Sequence, residues 1–250
     1  MRYFPPLFMF APKNTITSIV KPFPSIFLLC ILSYISCTNN ETLREKKEKP
    51  NGIYFDYKIR GQENDSVVSV YLLYRLGGPN GNTLRLTDPA KVEFDGDTLS
   101  VDSAKLAGAF YDAEKPANDF PGRHTIVFTD FDEKEHTLEF NYKPFKLKTK
   151  IPAIINRGDI VFDFTGFSNG DYLRVILADT SFQSRDIHEI DTIENNRLVI
   201  RAEKLKYLSN GPITLILSKE IERPISNGAG QRGRLFISYG MQREFELKNP

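Results

Sequence analysis

From Ile53 onward the chain alternates. Ile53, Phe55, Tyr57 and Ile59 are separated by Tyr54, Asp56, Lys58 and Arg60, and a period of two predicts a strand with one face buried. The rhythm returns at Val68, Val70, Leu72, Tyr74 and Leu76, with Ser69 and Arg75 opposite. Gly77-Gly78-Pro79-Asn80-Gly81 then predicts a loop, since these residues accept or fix the backbone angles of turns. Short strands are expected at 84–86, 92–94 and 99–101. Asp95-Gly96, between the last two, predicts a type I′ hairpin. Further strands fall at 124–129 and 137–142, where Leu138, Phe140 and Tyr142 face one way.

Pro144 interrupts the pattern, and Lys146, Lys148 and Lys150 line one side of the next strand. The alternation resumes at Ile160, Phe162 and Phe164. It continues past the Ser168-Asn169-Gly170-Asp171 turn with Leu173, Val175 and Leu177. After Leu198 and Ile200, the spacing of Leu205 and Leu208 predicts one short crossover helix near 202–208, stopped by Gly211. Ile213, Leu215 and Leu217, then Leu235, Ile237 and Tyr239, then Phe245 and Leu247 complete the apolar set. Many short strands with frequent turns, and no long helical pattern, predict an all-β chain of two antiparallel β-sandwiches in tandem. The expected division is 51–145 and 146–250. VEFDGDTLSV with GRHTIVFTDFDEKEHTLEF in the first half, and RLVIRAEKLKYLSNGPITLIL with GRLFISYGMQREFEL in the second, resemble immunoglobulin-like segments. They look like those of tandem immunoglobulin-like lipoproteins of Bacteroidetes, with a fibronectin-like sandwich equally open. The antibody-type core disulfide and Trp are missing.

The stretch ahead of the strands is of another kind. Arg2, Lys13 and Lys21 are its only charges before Glu41, and an apolar run of ten residues extends from Ile26 to Ile35. A membrane-spanning helix needs about 20 apolar residues, whereas a secretory signal needs about 7–15. Ser36-Cys37 closing such a run resembles the bacterial lipobox, although Tyr34 and Ile35 depart from its usual residues. The resemblance implies a signal at 1–36, lipid on the Cys37 sulfur and a charged tether over 37–50. Cys30 leaves with the signal, so Cys37 is the one remaining cysteine, which suits acylation better than a disulfide. Ordinary secretion with Cys37 as a free thiol is the alternative. The implied location is the cell envelope, as an outer-membrane lipoprotein facing the periplasm or the cell surface.

Charge narrows the partners. The whole chain carries a formal +1, which turns slightly negative once the three leader cations are removed. Nucleic-acid binding needs a basic excess that this chain lacks. His124, His136 and His188 show no metal-ligand spacing, because His188-Glu189 is followed by Thr192 where a zinc helix needs histidine. There is no nucleophile elbow. Asp130, Asp132, Glu133 and Glu135 lack the calcium-loop spacing and are expected as a solvated hairpin tip. Arg157-Gly158-Asp159 spells the integrin tripeptide, but ahead of a strand a glycine turn is expected there anyway. No metal and no cofactor are expected.

Two sets of residues remain as candidates for binding. One is a glycine-rich basic loop from Ser226 to Arg234, with Arg223, Asn227, Gln231, Arg232 and Arg234 facing a ligand. The other is Tyr54, Tyr71 and Tyr172, if they are exposed. The sequence therefore predicts a non-catalytic lipid-anchored binding or scaffold module for an unknown protein or glycan. A carbohydrate-binding accessory lipoprotein is the alternative, and a hydrolase a more remote one.

Overall fold

The computed structural model of the chain describes residues 41–42, 52–104, 108–181, 185–227 and 231–249. The expected signal, Cys37 and all but two residues of the tether lie outside that set, as do the side chains of Asn227, Gln231 and Arg232. The first half contains β1 (Glu41–Thr42), β2 (Ile53–Gln62), β3 (Val67–Leu76), β4 (Asn82–Arg85), β5 (Lys91–Phe94), β6 (Asp97–Thr98), β7 (Val101–Ala104), β8 (Gly108–Pro116), β9 (Gly122–Thr129) and β10 (Glu135–Tyr142). The second contains β11 (Lys146–Leu147), β12 (Ile154–Asn156), β13 (Ile160–Thr165), β14 (Asp171–Asp179), β15 (Ile187–Ile193), β16 (Arg197–Ile200), β17 (Gly211–Asn227) and β18 (Gln231–Lys248). A four-residue helix, α1 (Ala202–Leu205), crosses between β16 and β17.

One large sheet serves both halves. Its strands run β1-β4-β3-β2-β18-β17-β14-β15, with β8 joined to β3, β7 joined to β8 and β12 joined to β18. A four-stranded sheet, β10-β9-β5-β6, covers it in the first half, and a three-stranded sheet, β11-β13-β16, covers it in the second. The result is two β-sandwiches in tandem, built from antiparallel hairpins but joined by a parallel seam. At that seam Arg232–Gly240 of β18 pairs in parallel with Tyr54–Gln62 of β2.

The two cores follow the alternation. The first gathers Phe55, Tyr57, Tyr74, Phe94 and Phe128, and the second Phe145, Phe162, Phe164, Leu173 and Leu215. The change occurs at Phe145, close to the expected boundary, but β17 and β18 cross it. Ile225, Leu235 and Ile237 belong to the first core, whereas Leu217, Met241 and Phe245 belong to the second. Tyr239 packs against both, edge-on to Tyr142 at 6.4 Å and to Phe145 at 5.5 Å. Thr38–Pro250 accordingly clusters as one compact unit.

All these β18 core residues have odd numbers, and the β17–β18 register runs unbroken from Gly211↔Leu247 to Asn227↔Gln231. Odd positions on one uninterrupted strand share one face. Both small sheets therefore lie on the same side of the large sheet, and its even-numbered side is continuous from one half to the other.

Turn chemistry holds in detail. Asp95 and Gly96 have φ of 50° and 88°, and Asn195 and Asn196 have 52° and 57°, as two-residue hairpins require. Arg157 and Asp159 clamp α1. The Asp159 carboxylate accepts the Ala202 N–H at 2.9 Å, and the Arg157 guanidinium donates to the carbonyls of Leu205 and Leu208. The Arg-Gly-Asp tripeptide is thus part of the frame.

Candidate binding face

The uncovered side of the large sheet collects all three tyrosines singled out in the sequence. Tyr54 alternates with the core residues of β2, Tyr71 with those of β3, and Tyr172 with those of β14. Tyr71 stacks on Phe110 at 5.0 Å with 28° between the rings, and the Lys58 ammonium lies 5.8 Å from the Tyr71 ring centre. Tyr172 is 61% exposed opposite Thr192, and Ile190, 60% exposed on β15, lies opposite Arg174. Four strand spacings of about 4.8 Å separate β3 from β14, or about 19 Å across the face. Tyr54 lies four residues along β2 from Lys58 and opens on the tip of the β17–β18 hairpin instead.

Between these aromatic ends the face dips. Small residues, Ser69 on β3, Ser238 and Gly240 on β18 and Ser218 on β17, floor a trough of about 430 Å³ flanked by Arg60, Gln62 and Gln242. The register sets them side by side: Arg60 opposite Ser69 and Ser238, and Gly240 opposite Gln62 and Ser218. Hydroxyl, amide and guanidinium groups on a flat floor offer many hydrogen bonds and no enclosure. Two groups of charges beside the trough satisfy one another. Arg174 makes a two-pronged bond to Glu220, both contacts at 2.8 Å. Asp56 lies between Lys58 at 3.3 Å and Arg234 at 2.8 Å. Burial alone would raise the Asp56 carboxyl, but Arg234 and Lys58 outweigh it and hold it below the usual carboxylate range.

The basic-loop candidates are placed differently from one another. Ser226, Asn227 and Gln231 to Arg234 are strand rather than loop, because β2 lies alongside β18 and supplies the partner that a glycine-rich tip lacks locally. Arg232 sits at the register position opposite Tyr54, and Asn227 opposite Gln231. Arg234 is on the outer face but is engaged with Asp56. Arg223 is on the other side, where its guanidinium donates to the Glu139 carbonyl. The structure places Arg223 and Arg234 on opposite sides of the large sheet.

Two histidines are built into the frame, and the acidic turn differs from expectation. His124 is buried, stacked on Phe120 at 4.0 Å, with one ring nitrogen 2.7 Å from the Asp95 carboxylate and the other facing the Phe120 carbonyl. It pairs with Phe140 while His136 pairs with Phe128, so the two histidines stand at opposite ends of the β9–β10 hairpin. Asp130 is only 3% exposed. It is not part of a solvated tip, because its carboxylate organises the turn through the N–H groups of Asp132 and Lys134 and the His136 ring.

A second hollow of about 620 Å³ opens beside β13, lined by Lys148, Thr149, Asp163, Asn195 and Asn196. Three of its polar side chains are engaged in the fold. Thr149 accepts the Asp163 N–H at 2.7 Å, Asn196 accepts the Phe167 N–H, and Asp163 pairs with Arg197. Among the described residues, no three His, Cys, Asp or Glu side chains gather as a metal site.

No protein-family model matches the chain, and no curated protein matches it. Among solved structures, DIP-gamma IG1+IG2 overlaps it with 10% identity and a TM-score of 0.23, over 77% of this chain and 99% of that one. SGBP-B of the Bacteroides ovatus mixed-linkage glucan utilization locus, in complex with a mixed-linkage heptasaccharide, overlaps with 10% identity and a TM-score of 0.17. That overlap covers 75% of this chain and 60% of that one.

Proposed function

We propose that this chain is a non-catalytic binding module held at the cell envelope by lipid on Cys37, with its ligand lying across the outer face of the large sheet. The observation that carries the reading is the continuity of that face. It spans both halves, has Tyr71 and Tyr172 on either side, and holds between them a trough of serines, amides, Arg60 and Asp65 with Val67 and Ile216. Fold alone does not specify a function, so the ligand class comes from the chemistry of the face. Arg174 and Glu220, and Asp56 with Lys58 and Arg234, are paired with one another, which leaves hydroxyls, amides, Arg60, Asp65 and flat rings to make contacts. Such a surface suits a neutral, extended, polyhydroxylated ligand, and we assign it to a glycan chain.

The test is a glycan array on the full chain in detergent, followed by calorimetry. Tyr71→Ala and Tyr172→Ala are each expected to weaken binding about tenfold or more, the size of effect typical of an anchoring aromatic. Tyr207→Ala, exposed next to α1 and away from the face, is expected to leave it unchanged. Glycan binding that ignores both tyrosines, or no glycan binding at all, contradicts the reading. The anchor is tested separately. Cys37→Ser is expected to move the protein from the membrane to the soluble fraction, and retention of that variant, with no acyl mass on the wild type, contradicts it.

A further inference from the structure

The covered side of the large sheet is left bare at one place. In the first half the small sheet ends at β10, which has β9 as its only strand partner among the described residues. Under that edge the large sheet continues. β14 leaves β17 after Leu173↔Lys219, so Glu220–Asn227 is flanked by β18 alone among the described strands. The odd residues of this segment point toward the small sheet, yet Ile221 is 39% exposed and Arg223 half-buried. Only Ile225 is fully covered. A slit of about 180 Å³ runs in from this opening, walled by Phe55, Phe128, Leu138 and Ile225, with Arg223 and Pro224 at its rim.

The backbone of the β10 edge points into the same opening. The Glu139 carbonyl accepts the Arg223 guanidinium there, so Glu139 directs its backbone groups away from β9. Thr137 and Asn141 do the same, because these directions alternate along an antiparallel strand. None of the described backbone groups pairs with them. Pro224, which has no N–H to offer, lies on the β17 segment that lacks a second neighbour, where proline is tolerated.

We propose that the free edge of β10 receives an extended segment of a partner protein as a fifth strand of the small sheet. Strand addition of this kind takes affinity from main-chain hydrogen bonds and specificity from alternate side chains. The incoming strand would cover Ile221, Arg223 and Ile225, which succeed one another two residues apart. Its inward side chains should therefore read apolar, acidic, apolar at positions i, i+2 and i+4, with the acidic group meeting the Arg223 cation. The acidic side chain of Glu139 does not compete, because it lies on the opposite face of β10 and pairs with Arg123. This site is on the reverse side of the sheet from the glycan face and does not depend on it.

The probe is a phage-displayed library of random dodecapeptides, selected on the full chain in detergent. Enriched peptides are expected to carry the apolar-acidic-apolar alternation. They should lose about tenfold or more in affinity on two variants. Thr137→Pro removes an edge N–H without touching the β9 ladder, and Ile221→Lys changes an exposed side chain. Both should melt as the wild type does, and if Thr137→Pro does not, Ile221→Lys decides alone. Arg223→Glu is expected to turn the central preference from acidic to basic. No enrichment, peptides without alternation, or peptides indifferent to Ile221→Lys overturn the proposal. A dimer of the wild type in sedimentation that Ile221→Lys converts to monomer assigns the edge to a second copy and overturns the partner assignment.

Discussion

Residues 51–145 expressed alone are expected to show no cooperative unfolding transition. They include every strand of the first half except β1, and Phe145 is their last residue. What they lack is β18, which lies against nine residues of β2 and closes that side of the large sheet. They also lose Ile225, Leu235 and Ile237 from the core, each contributing about 1.5–3 kcal/mol when fully buried. Small domains are stable by only about 5–15 kcal/mol. Losing three core side chains and a ladder of backbone bonds together consumes most of that. Residues 146–250 lose Phe145 from the second core and expose Ile225, Leu235 and Ile237, and are expected to associate. Circular dichroism with heating checks both pieces; a sharp melt of 51–145 alone would show that the hairpin is dispensable.

Asp130→Asn is expected to cost about 2–4 kcal/mol near neutral pH, as removal of a buried, multiply bonded carboxylate does. The carboxylate accepts three hydrogen bonds, at 2.9 Å from Asp132, 3.0 Å from Lys134 and 2.8 Å from His136. Burial alone would raise its pKa, but the His136 contact and the two N–H groups outweigh it and leave the carboxyl below its ordinary value. A folded-state pKa below the unfolded one gives stability that is present above the unfolded value, about 3.9. It is lost as pH falls through the folded value. The gap between wild type and Asp130→Asn should therefore be full at about pH 7 and shrink below about pH 4. Urea denaturation across that range measures it; a gap equally wide at low pH would mean the carboxylate charge is not what holds the turn.

The alternation in the sequence was sufficient for most strands, because one face of each is buried and the other is not. It was insufficient where a strand departs from that rule. β8 mixes Phe110 and Tyr111 with Asp112, Glu114 and Lys115 and gave no clean period of two. β15 leaves Ile190 on the open face, which blurs its pattern in the same way. The more consequential loss was at β17 and β18. Leu235, Ile237, Tyr239, Met241, Phe245 and Leu247 keep one parity throughout, a signal of a single long strand that only Arg243 breaks. That residue is held by Glu63 from the first half through a two-pronged contact, a tertiary reason invisible in local sequence.

The same long strand explains why the candidate face was only half legible. Tyr54, Tyr71 and Tyr172 could be picked out as aromatics on polar strand faces. The small residues between them could not, because Ser69, Ser218, Ser238 and Gly240 become one floor only when β18 joins the two halves. Burial of Asp130 and His124 was equally hidden, since their partners lie on turns whose approach is set by the sandwich.

The most direct test of the central claim is to fill the trough without disturbing the sheet. A Cβ added at Gly240 would meet nothing beyond its chain neighbours closer than the Leu217 carbonyl oxygen at 3.7 Å, an ordinary contact. Gly240→Trp should therefore leave the melting transition in place while its ring occupies the floor between Gln62 and Ser218. Calorimetry against the glycan selected on the array is predicted to show binding reduced about tenfold or more. Undiminished affinity in a normally folded Gly240→Trp protein would contradict the assignment of the ligand to this face.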